Sequence, residues 1–104
     1  MEEVTIQQLD ELIQQEEFVC LYVYTPMCGT CQLANRMVSI VQELVSHVAF
    51  RKTDINYMPD RAVSWEIESV PCLLLFRNGE MKKKLYAFQS VPYLYEVIQE
   101  LQKP

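Results

Sequence analysis

Cys28 and Cys31 are separated by Gly29 and Thr30. On a helix this spacing turns the second thiol back toward the first. The pair can then alternate between dithiol and disulfide with little backbone motion. Phe18-Val-Cys-Leu-Tyr-Val-Tyr24 reads as a strand covered on both faces, and Thr25-Pro26-Met27 breaks it. Leu33, Met37, Val38, Val41 and Leu44 then recur at helical spacing. Cys28 therefore stands at a helix N-terminus, with Gly29 allowing a tight turn into the helix. Unpaired N–H groups and the macrodipole favour an anion there, and a thiol of ordinary pKa about 8.5 is brought to about 7 or lower in such a place. Cys28 is the expected nucleophile and Cys31 the resolving thiol. Half a zinc site has the same spacing. Beyond carboxylates the chain offers Cys20, Cys72 and His47, but neither cysteine belongs to a second CxxC or CxxH pair.

The elements that must position this pair alternate. Ile6, Leu9, Leu12 and Ile13 mark a helix, with Thr5 as N-cap and Gln8 three residues on. After the first strand and the second helix, which runs to about Ser46, come a strand from Val48 to Thr53 and a short helix from Asp60 to Glu66. Val70-Pro71 introduces a buried strand, Cys72 to Phe76. Asn78-Gly79 is a hairpin turn whose residues both accept positive φ, and Met81 to Phe88 returns beside it. Ser90 caps a last helix with Leu94, Val97, Ile98 and Leu101 on its inner face. The expected fold is α/β, a mixed four-stranded sheet flanked by helices on both faces, with a short fifth strand at the N-terminus left open.

The 104 residues, 50% hydrophobic and 22% charged, fit one domain over 1–104. A net charge of −5 argues against a nucleic-acid partner. No run approaches the roughly 20 apolar residues that cross a membrane, and the acidic start Met1-Glu-Glu-Val4 is unlike a secretory signal. A cytoplasmic monomer with reduced thiols is the expectation.

Tyr24-Thr-Pro-Met-Cys-Gly-Thr-Cys31, Val70-Pro-Cys-Leu-Leu-Leu-Phe76 and Arg77-Asn-Gly-Glu80, in this order and spacing, resemble thioredoxin over nearly the whole chain from Thr5. The resemblance implies the thioredoxin fold and reduction of protein disulfides by a Cys28–Cys31 couple. It implies no further cofactor and recycling by thioredoxin reductase or an equivalent. It further implies a cis Val70–Pro71 bond, a form taken by only about 5–6% of X–Pro bonds. Pro71 would then lie against the dithiol and shield it from metal, Val70 would pair its backbone with substrate, and Met27, Gly29 and Thr30 would complete the substrate-binding face.

Several positions depart from the family pattern. Met27 replaces Trp, Thr30 replaces Pro, Arg36 replaces a kinking Pro, and Ala87 replaces a groove Gly. Tyr22 takes the place of the buried Asp beneath the dithiol, so Lys52, which matches that Asp's partner, loses its ion pair. These changes keep two alternatives in view: a binding module with redox-regulated association, and a CxxC that holds metal or an iron–sulfur cluster.

Of the remaining residues, Cys20 is expected in the core. Cys72 is expected as a buried thiol pointing away from the Pro71 face, with a third redox or metal-ligand thiol as the other reading. His47 is expected at the surface. Lys82 to Lys84 would protect an exposed sheet edge. Trp65 and Tyr57 would pack either near the active-site rim or in the core.

Overall fold

The Thr5 side chain accepts a hydrogen bond from the Gln8 N–H at 3.2 Å, and Gln8 Oε1 accepts one from the Thr5 N–H at 3.0 Å. This reciprocal cap starts helix α1 (Ile6–Gln15) as the sequence predicts, and the helix buries Leu9 and Ile13. A computed structural model describes residues 1–104. The chain continues through strand β2 (Phe18–Tyr24), helix α2 (Gly29–Leu44) and strand β3 (Ala49–Asp54). Helix α3 (Pro59–Ser64), the hairpin of β4 (Cys72–Arg77) and β5 (Glu80–Leu85), and helix α4 (Val91–Gln102) follow.

A two-residue strand β1 (Glu2–Glu3) pairs with β3 and fills the place left open at the N-terminus. The sheet is thus five-stranded, in the order β1-β3-β2-β4-β5. Its β1, β3 and β2 strands run parallel, and β4 and β5 antiparallel to their neighbours.

Alternation along the two central strands creates two cores. Cys20 and Tyr22 of β2, with Leu73 and Leu75 of β4, face Cys31, Ala34, Val38 and Val41 of α2 and Leu94 and Ile98 of α4. Val19, Leu21 and Val23, with Cys72, Leu74 and Phe76, face Leu9 and Ile13 of α1 and Met58 before α3. Each fully buried Leu or Val here contributes about 1.5–3 kcal/mol relative to exposure. One continuous apolar run serves both faces because helices cover each of them.

Asn78 (φ 51°) and Gly79 (φ 84°) make the predicted hairpin turn. The Ser90 side chain accepts from the Tyr93 N–H and caps α4. Elsewhere boundaries move. Helix α2 ends at Leu44, and His47 beyond it is exposed with φ 65°. The Asp54 carboxylate accepts from the Asn56 N–H, which starts a 3₁₀ turn, Ile55–Tyr57, and α3 begins at Pro59 rather than Asp60. β5 stops at Leu85, three residues short of the expected end. No helix is long and apolar enough to cross a membrane.

Candidate active site

Thr25 turns the chain out of β2. Its side chain accepts from the Met27 N–H at 3.1 Å and its carbonyl from the Cys28 N–H at 3.2 Å. Cys28 is thereby set as the N-cap of α2, in extended conformation (φ −99°) and without a side-chain cap of its own. Cys28 and Cys31 form a disulfide, with their Cα atoms 5.3 Å apart. Cys28 is half-buried, whereas Cys31 is only 5% exposed. The Thr30 hydroxyl lies 3.4 Å from Cys28 Sγ. A hydroxyl there can donate to the sulfur and favour its anion, a role that a proline at this position lacks.

Gly29 does not serve as expected. A Cβ at this position would meet nothing within 4 Å, and Gly79 alone among the glycines has a positive φ. The turn into the helix is made by Thr25 instead, and Gly29 is an ordinary first helical residue.

Beneath the pair, Tyr22 is buried and its hydroxyl donates to the Cys31 carbonyl at 2.6 Å. Burial pushes its phenol up to about 12. The Tyr22 ring stacks on Tyr24 at 5.8 Å and meets Phe88 edge-on at 6.1 Å. Burial, and after it the carboxylate of Glu3 to which the Tyr24 hydroxyl donates, raise the Tyr24 phenol too. Lys52 Nζ sits 5.6 Å from the centre of the Tyr24 ring. The lysine has exchanged the family's carboxylate partner for a π face. Tyr22, Tyr24, Lys52, Asn35 and both cysteines line a cavity of about 180 Å³.

The Val70–Pro71 bond is cis, and both residues are half-buried. Val70 packs against the core that contains Cys31 and is bordered by Cys28. Met27 is 94% exposed, Thr30 and Ala87 are exposed, and Arg36 lies on the exposed side of an uninterrupted α2.

The other thiols are wholly buried. Cys20 shares the core of Tyr22, whereas Cys72, although next to Pro71 in the chain, lies in the core across the sheet. Burial pushes the Cys72 thiol up to about 11, with Lys84 opposing the shift. No three His, Cys, Asp or Glu side chains converge anywhere in the chain.

Trp65 stands apart from the site. It packs on Phe76 at 5.4 Å beneath the Arg61 guanidinium at 5.3 Å, on the α1 and α3 side. Tyr57 is 79% exposed rather than core, and it borders a cleft with Glu3, Tyr24, Pro26 and Asp54.

The family model described as Thioredoxin matches residues 1–100. The chain belongs to the thioredoxin family. It is 47% identical to the thioredoxin-like protein YusE of Bacillus subtilis, over 96% of this chain and 92% of that protein. It is 31% identical to thioredoxin-1 of Saccharomyces cerevisiae over 78% and 79% of the two chains. The structure of a mutant thioredoxin from Halobacterium salinarum, 23% identical, has the same fold, with a TM-score of 0.88 over 100% of this chain and 91% of that one.

Thioredoxins act on protein disulfides through their own dithiol, without a further cofactor. With the Cys28–Cys31 disulfide in place, this chain is a thiol–disulfide oxidoreductase. As a thioredoxin it is unusual beneath the dithiol, where a phenol replaces an ionisable carboxyl.

Proposed function

We propose that Cys28 is the attacking thiolate and Cys31 the resolving thiol of a disulfide reductase. The asymmetry of the pair carries this reading: Cys28 is the half-exposed N-cap of α2 beside the Thr30 hydroxyl, and Cys31 is buried within the first turn. Cys28 S⁻ attacks one sulfur of a protein disulfide, and the other substrate sulfur leaves with the electron pair. Cys31 then loses its proton and attacks Cys28 Sγ. The second substrate sulfur is released as thiolate, and the Cys28–Cys31 disulfide remains.

Two electrons from a thioredoxin reductase or an equivalent restore the dithiol. The substrate would lie along Met27, Gly29, Thr30, Val70 and Pro71, with Val70 offering its backbone. Tyr22 and Lys52 would support the site from below. We read residues 1–104 as one domain, acting as a cytoplasmic monomer.

The test is Cys31→Ser, which should accumulate mixed disulfides with protein partners through Cys28 that a thiol reductant releases, while Cys28→Ser accumulates none. Insulin reduction by the native protein, driven by dithiothreitol or a thioredoxin reductase, should be catalytic. Mixed disulfides forming through Cys31 in Cys28→Ser would reverse the assignment.

A further inference from the structure

We propose that Asn35 is a positioning residue for the redox couple: its side-chain oxygen accepts a hydrogen bond from the Cys31 thiol in the reduced protein and has no partner in the oxidised one. Asn35 follows Cys31 by four residues on α2, and side chains so spaced are neighbours, about 5–6 Å apart at Cβ. Helical side chains lean toward the N-terminus, so that of Asn35 leans over the turn carrying Cys31. Both residues line the cavity beneath the dithiol.

In the disulfide form Asn35 Oδ1 is buried and without a hydrogen-bond partner, the one buried side-chain oxygen or nitrogen in the chain so left. An unpaired buried acceptor is costly and calls for a reason. The state of Cys31 supplies one. Bonded to Cys28, its sulfur has no proton to give. Reduction places two electrons in the S–S bond and breaks it, and the Cys31 sulfur takes up a proton from solvent. The resulting S–H is a donor.

Beside the Cys28 sulfur, Asn35 Oδ1 is the one buried side-chain acceptor at this cavity that stands without a partner. The Tyr22 hydroxyl is engaged with the Cys31 carbonyl, and the Tyr24 hydroxyl with Glu3. Lys52, over the Tyr24 ring, has only donors. Asn35 thus burdens the oxidised form, is satisfied in the dithiol, and biases the couple toward the dithiol.

The inference rests on Cys28–Cys31 being the redox couple. The test equilibrates the full chain and its Asn35→Ala and Asn35→Leu variants with glutathione buffers, counting disulfide by alkylation and mass spectrometry. Removing the acceptor should move the equilibrium about fivefold toward the disulfide, a potential about 20 mV more negative at 29.6 mV per tenfold. In urea unfolding, each variant should gain stability in the oxidised form relative to the reduced form by the same factor. A purely structural residue would shift both forms alike. An equilibrium within twofold of the native chain, or one displaced toward the dithiol, in either variant overturns the proposal. Failure of the native chain to equilibrate at all would overturn the parent reading with it, and is distinguishable for that reason.

Discussion

The Tyr22 hydroxyl donates a 2.6 Å hydrogen bond to the backbone carbonyl of Cys31. It ties the central strand to the first turn of the helix that carries the dithiol. With its phenol pushed up to about 12 by burial, Tyr22 keeps its proton throughout the range in which thiols exchange. It is therefore a strut rather than a base. Tyr22→Phe should lower stability by about 1 kcal/mol, the net worth of one hydrogen bond, and leave insulin reduction within about threefold, because no proton passes through the phenol. Urea denaturation and the insulin assay check both. A stable variant without activity would return Tyr22 to the proton path.

Cys20 and Cys72 are fully buried, on opposite sides of the sheet, and burial raises both thiols. A buried, protonated thiol is inert. In the native reduced protein two thiols should react with an aromatic disulfide reagent within minutes, and all four only after unfolding in guanidinium. A third fast thiol would show that one core opens far more readily than its packing implies.

Arg61 grips Asp10 with two 2.6 Å hydrogen bonds, joining α3 to α1, and holds the Asp10 carboxyl below its ordinary range. Because the folded value is the lower one, the contribution is full above the unfolded value of about 3.9 and fades as pH falls through the folded value. Both side chains are substantially exposed, so solvent screening limits the pair to about 0.5–1 kcal/mol. Asp10→Asn should cost that much at pH 7 and nothing near pH 2. Urea unfolding of both proteins across this range measures it, and a deficit that persists in acid would contradict it.

What was legible in the sequence was local. The Thr5–Gln8 cap, the Ser90 cap and the Asn78–Gly79 turn depend on residues within three positions of one another, and all three form. The CxxC at a strand–helix junction is equally local. The Tyr22–Cys31 bond needs a strand from elsewhere, and the spacing of Asn35 from Cys31 does not show that its oxygen is buried without a partner.

Lys84 shows the same limit. Read as edge protection, it does lie on edge strand β5, but its ammonium also donates to the carbonyls of Trp65 and Glu66 and ties down the end of α3. Of the two places open to Trp65, the structure takes the core: Phe76 and Arg61 hold it on the far side of the sheet from the dithiol, a choice that depends on packing between elements. β1, with two residues, is too short to show any period.

The most direct measurement follows the rate of iodoacetamide capture at each cysteine of the reduced protein from pH 4 to 10, by peptide mass spectrometry. Cys28 should be modified first at every pH, reaching half its maximal rate below about pH 8. Preferential modification of Cys31, or a Cys28 midpoint at or above the ordinary thiol value of about 8.5, would contradict an anion held at the head of α2.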